Sequence, residues 1–319
     1  MLAILRRILL SPLLRLVWTL LLVGALNFPL RLVAPDLARS PNTSLEGALR
    51  NAVLYTLVLA LTVRWLEGRR LREIGFRPAA AIPDVLRGIG IGAALLTSVM
   101  GVLALLGDYA IVGWAPLLPG TTRGGLMLEV LLTLLGAAVF EEVVSRGILF
   151  RLFEQALGTW VAIAISSGLF ALGHARNPGA TLMSGIGIAQ AGVLLAAAYA
   201  ATRSLWFPIG LHWAWNVFEG PVWGSAVSGI HLNVLVHAVF PGPALLTGGS
   251  FGVEPGLPTI LLGSVLSIVF LVVAARRGEI RTPPWMRWLF ERFRSPPAPL
   301  APSSAPAPSV AAPAPGGSA

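Results

Sequence analysis

Long apolar stretches, each roughly 20 residues and each closed by arginine, glycine or proline, dominate the chain. They recur at about 16–35, 47–66, 86–107, 125–150, 157–175, 179–202, 205–220 and 257–275. A helix needs roughly 20 mostly apolar residues to cross a bilayer. The pattern therefore predicts an all-α, polytopic membrane bundle of about eight transmembrane helices. Arg6 and Arg7 before the first stretch give it the look of a signal peptide, but no small-residue cleavage site follows, so it reads as a retained anchor. Segment 221–256 is expected to face outward, with Val222–Phe240 as a possible re-entrant or ninth element.

Composition agrees. Of the 319 residues, 55% are hydrophobic and 12% charged, with a mean hydropathy of +0.79. A soluble domain carries about a quarter charged residues. Cysteine is absent, which excludes disulfides, thiolate catalysis and cysteine-ligated metal. The net charge of +9 comes from arginines at the ends of the apolar runs, not from a nucleic-acid patch, so no nucleic-acid partner is expected. Arg15, then Arg69, Arg70, Arg72 and Arg77, then Arg151, Arg203, Arg276, Arg277 and Arg281 fall at alternate loops. The positive-inside rule then predicts a multi-pass cell-membrane protein with both termini cytoplasmic.

The chain divides into N-terminal spans over 1–120, a motif-bearing core over 121–280, and an end region over 281–319. In the last, Trp285, Met286, Trp288, Leu289 and Phe290 among arginines predict a short interfacial helix. The Pro/Ala/Ser-rich tail after Ser295 is expected to be disordered. Gly88, Gly90 and Gly92 lie inside an apolar run with no strand before them, so they predict close helix packing rather than a nucleotide loop.

Three places break the apolar rule, and ionisable groups within a bilayer are costly enough to mark function. In the fourth run, Glu141 and Glu142 are followed by Arg146. Glu142 and Arg146 stand at i and i+4 in the favourable order for a pair. Glu141 is left without a cation on its own helix, a setting suited to a general base. His174 closes the fifth run, four residues after Phe170. His212 and Asn216 share a face of the seventh, placed to donate hydrogen bonds to developing negative charge. At 1.5 Å per residue, Glu141, His174 and His212 lie about 14, 21 and 10 Å from the interface, depths compatible with one mid-membrane cavity. The bland alternatives are a charged helix end, a structural histidine and a polar helix clasp. His231 and His237 have no acidic neighbour at helical spacing and read as structural.

Glu-Glu-x-x-x-Arg, Phe-x-x-x-His and His-x-x-x-Asn on successive hydrophobic segments resemble the CPBP family of CAAX prenyl proteases and bacteriocin-processing or Abi membrane proteins. The run Ser204–Asn216 resembles its bacterial branch. The resemblance implies an intramembrane endopeptidase acting on a membrane-associated protein or peptide. Glu141 would activate water with help from His174, His212 and Asn216 would stabilise the oxyanion, and Glu142 and Arg146 would support the site. No cofactor is certain. Glu141, His174 and His212 could supply a zinc set, although no His-Glu-x-x-His helix is present and a metal-free route fits the residues equally well. The competing functions are a non-catalytic bacteriocin-immunity or scaffold protein and a proton-coupled transporter.

Overall fold

The computed structural model describes residues 11–117, 119–232, 234–283 and 285–286. The described residues up to 283 form one compact unit, and Trp285 and Met286 fall outside it. Trp285 and Met286 are helical. The rest of the predicted interfacial helix, including Trp288, Leu289 and Phe290, and the tail after Ser295 lie outside the described residues.

All eight apolar runs are helical. They are α1 (Pro12–Val33), α2 (Leu45–Leu61, extended by a π turn through Leu66), α3 (Ala81–Leu106) and α4 (Arg123–Glu142, extended by a π segment, Val143–Phe150). A short α5 (Arg151–Leu157) follows, then α6 (Thr159–His174), α7 (Leu182–Thr202), α8 (Trp206–Val217, with a π turn through Val222) and α9 (Leu257–Arg276). The starts are written in the sequence. Ser44 accepts from the Gly47 amide, Thr122 from the Gly125 amide, and Thr181 exchanges hydrogen bonds with Ser184.

Among the described residues, five helices are long and apolar enough to cross a membrane: Pro12–Val33, Leu45–Leu66, Pro78–Leu106, Leu182–Thr202 and Leu257–Arg276. The three that fall short are α4, α6 and α8. α4 carries Glu129, Glu141 and Glu142, α6 has 16 residues, and α8 has 12. These are the helices that hold the predicted site, so polarity and brevity coincide with chemistry. Outside the core, Leu261, Val265, Ile268 and Val272 expose an apolar stripe along α9, as expected of a face turned to lipid.

α7 is the central helix, buried from Leu194 to Ala201 and packed against α6 and α9. α2 packs on α4, and α3 on α8. The last contact depends on glycine. A Cβ on Gly88 would stand 2.3 Å from the Phe207 carbonyl oxygen, one on Gly92 2.5 Å from that of Leu211, and one on Gly210 2.4 Å from that of Val85. Gly90, between them, faces open space. Two of the three glycines thus bring α3 against α8, and α8 bears His212 and Asn216.

Segment 221–256 contains no further spanning helix among its described residues. It folds into a β2–β3 hairpin (Ala226–Val227 with Ile230–His231), and its β4 (Val236–Val239) pairs antiparallel with β1 (Ala110–Trp114). The arginines assigned to one side do gather at one end of the bundle. Glu67 joins Arg15 and Arg151 there, and Glu154 joins Arg203, which also reaches Glu279.

Candidate functional site

α4, α6 and α8 converge on a cavity of about 400 Å³. Glu141, His174, His212 and Asn216 all line it, and much of the remaining wall is apolar, including Leu134, Phe140, Val144 and Leu169. The helix bearing the two glutamates widens into a π segment directly after Glu142. Such widenings recur at functional sites. The i,i+4 pair survives it: Arg146 Nη1 donates to Glu142 Oε1 at 2.8 Å, and both side chains are fully enclosed.

Arg146 is fixed from two further directions. Its Nη2 donates to the Gly192 carbonyl on α7 at 2.9 Å, and its guanidinium lies 4.9 Å from the centre of the Phe170 ring. Phe170 in turn packs tilted against the ring of His174 and edge-on against that of His212, with centroids 4.8 and 6.0 Å away. The phenylalanine of the sequence motif is therefore the hub on which the charged groups pack.

Glu142 Oε1 takes a second bond, from His212 Nδ1 at 2.8 Å. A carboxylate only accepts, so Nδ1 carries the proton. His174 Nδ1 lies 2.9 Å from the Phe170 carbonyl oxygen, which fixes the same tautomer. Both rings consequently turn Nε2 inward. Glu141 Oε2 faces these nitrogens at 3.9 Å from His174 and 3.7 Å from His212. Glu141 has no cation on its own helix, as the sequence indicates, yet two imidazoles from other helices flank it. One water between Glu141 Oε2 and His174 Nε2 would meet two acceptors, which would orient both of its protons.

The donor types at Glu141, His174 and His212 are those of a zinc set. Among the described residues, however, no three or more His, Asp or Glu side chains converge closely enough to hold a metal ion.

Several lining residues lie outside the three motifs. Asn42 and Thr43, before α2, and Ser228, Ile230 and Leu232, from the β2–β3 region, also wall the cavity. Ser228 sits in the hairpin turn at φ +47°, beside Gly229 at φ +86°. Its carbonyl accepts from Asn177 Nδ2 at 2.9 Å. Its amide and hydroxyl donate to the two oxygens of Glu254 at 2.8 and 2.9 Å. Glu254 shares with His174, His212, Asn216 and Ser228 a chamber of about 20 Å³ behind the main cavity, room for about one water. Burial pushes the Glu254 carboxyl up to about 7, against the opposing pull of His174 and Ser228. Glu219, buried beside it, accepts from Trp215 Nε1 at 2.9 Å. The only sequence signal for this second pair is two acids in apolar surroundings. His231 and His237 fall on β3 and β4 and line neither cavity.

No curated protein and no solved structure matches the chain. Residues 123–218 match the model of the Rce1-like family, described as type II CAAX prenyl endopeptidase Rce1-like. All six predicted site residues fall inside that stretch. Residues 123–218, the stretch that carries the site, are thus similar to the Rce1-like CAAX endopeptidases, and the apolar helices around them are those of a membrane protein.

Proposed function

We propose that the protein hydrolyses a peptide bond of a membrane-associated protein or peptide, with water activated by Glu141. The facing of Glu141 Oε2 and the two imidazole Nε2 atoms across the cavity carries this reading. Glu141 takes a proton from a water also held by His174, and the water oxygen attacks the scissile carbonyl carbon. The carbonyl oxygen becomes an oxyanion in reach of His212 Nε2 and the Asn216 amide. To donate from Nε2 while Nδ1–H is bound to Glu142, the His212 ring carries a proton on both nitrogens, and Glu141 and Glu142 balance its charge. On collapse the C–N bond breaks, and Glu141 returns its proton to the leaving nitrogen. Glu142 and Arg146 touch no reacting atom. They hold the His212 ring in its orientation and favour its charged form.

The apolar walls suit a substrate segment delivered from the bilayer. The orientation proposed puts both termini on the cytoplasmic side of the cell membrane. The deciding experiment compares the membrane and secreted proteomes of a deletion strain with those of a strain carrying Glu141→Ala. The same uncut proteins should accumulate in both. Normal processing in the Glu141→Ala strain, with the protein present at wild-type level, would refute the reading.

A further inference from the structure

A third cavity, about 540 Å³ in volume, lies away from the catalytic groups at the arginine-rich end of the bundle. Its lining comes from the loop before α3, from α3 itself, and from α7, α8 and α9. Arg77, Arg87 and Arg277 lie at its mouth, and Ile91, Phe270 and Val273 along its wall. The polarity is ordered by depth. Ile91 is one turn inward from Arg87, and Val273 and Phe270 are one and two turns inward from Arg277. The trough therefore runs about 10 Å from a cationic rim into apolar surface.

We propose that this groove binds an anionic phospholipid, with the phosphate at the three guanidiniums and an acyl chain along α9. Arginine matches phosphate geometry with paired donors and keeps its charge in a poorly hydrated site. The one acid in the lining, Asp84, is spent on Arg87, whose Nη1 it holds at 3.0 Å. That contact anchors Arg87 over the mouth, while its side chain stays 69% exposed. Arg277 is steadied by the Ala201 carbonyl of α7, at 2.9 Å. Three cations against one carboxylate leave an excess that a neutral headgroup does not answer. A free anion would answer the charge but leave the trough without an occupant. Alternate loops put arginine at one end of a bundle for topology alone, but topology does not require three from separate elements to share one concave site. Phe207 joins this wall from α8 and meets Phe270 edge-on at 5.6 Å, so the lipid would brace the helix that carries His212.

The test uses the full-length chain in detergent, titrated with dioleoyl phosphatidylglycerol or dioleoyl phosphatidylcholine. Native mass spectrometry reads binding, and thermal unfolding reads stabilisation. Phosphatidylglycerol should bind at least tenfold more tightly and raise Tm at concentrations where phosphatidylcholine does not. Each arginine is worth about fivefold, so Arg77→Ala with Arg87→Ala should remove the preference. Arg31→Ala with Arg39→Ala, at the far end of α1, should leave it intact. Val273→Trp fills the trough without touching charge and should weaken both lipids. If the double variant does not accumulate, Arg87→Gln alone should still lose about fivefold. Equal affinity for the two lipids, or equal loss in the Arg31/Arg39 control, would overturn the proposal. So would full displacement of phosphatidylglycerol by millimolar inorganic phosphate, which marks a simple anion site. None of these readouts depends on protease activity.

Discussion

Glu142 and His212, 70 residues apart in the chain, are joined by a 2.8 Å hydrogen bond through the oxygen that also receives Arg146. One buried oxygen thus links α4, α8 and, through Arg146 and Gly192, α7. Removing one partner of a buried pair costs roughly 3–5 kcal/mol. Glu142→Gln and Arg146→Ala should each lower thermal stability by an amount of that order and lose cleavage with it. Because both act through one atom, the double variant should cost clearly less than the sum. Additive losses in a double-mutant cycle read by thermal unfolding would contradict the shared-oxygen arrangement.

Glu141 has a different task. Its replacement by Gln keeps its shape and removes a desolvation cost, so melting temperature should hold or rise. Cleavage of a native substrate should fall by roughly 10²- to 10⁴-fold, the range for losing a general base. Near-normal cleavage by Glu141→Gln would show that another group activates the water.

The α3–α8 contact admits no side chain at three positions, Gly88, Gly92 and Gly210. Gly92→Leu should destabilise by about 1–3 kcal/mol or more through overpacking, and it should reduce activity by moving His212 and Asn216. Gly90→Leu, which meets open space, should leave both unchanged. Thermal unfolding of the two variants side by side checks this, and equal behaviour would mean that the two helices do not meet as described.

How much of this was legible in the sequence depends on range along the chain. The length of each apolar run locates all eight helices because that signal is local. The Glu142–Arg146 pair was legible because it lies within one turn. The grouping of Glu141, His174, His212 and Asn216 rested on depth estimates and motif order, and the geometry brings them to one cavity. The Glu142–His212 bond was not legible, since nothing local couples positions 70 apart. The β2–β3 hairpin was missed for a related reason. Its strands have two residues each, too short for alternation to register.

Glu254 supplies a pH test. Its carboxyl ordinarily titrates near 4.5 and is pushed up to about 7 by burial, with Ser228, His174, His212 and Glu219 around it. A group whose folded value is raised contributes stability that is complete below the unfolded value and is lost as pH climbs through the folded one. The protein should therefore lose stability between about pH 4.5 and pH 7, on the order of a few kcal/mol from this group. Glu254→Gln should flatten that slope. An unchanged pH dependence of Tm in the variant would remove Glu254 from the account.

Orientation can be read directly. Reporter fusions at Arg72 and at Gly248 should report opposite faces of the membrane, with Arg72 cytoplasmic. The same face for both would overturn the proposed topology.

The cavity wall has one more consequence. Asn42 and Thr43 come from far upstream of residues 123–218, and Ser228, Ile230 and Leu232 from beyond them. The stretch shared with the family carries the reactive groups but only part of the enclosure around them. It is not a portable cassette. Grafted alone into another helical scaffold, it would bring its acids and imidazoles to a vessel with two sides missing, open to lipid and water. Relatives that keep the six residues and differ in these outer walls should accordingly share the reaction and diverge in what they admit to it.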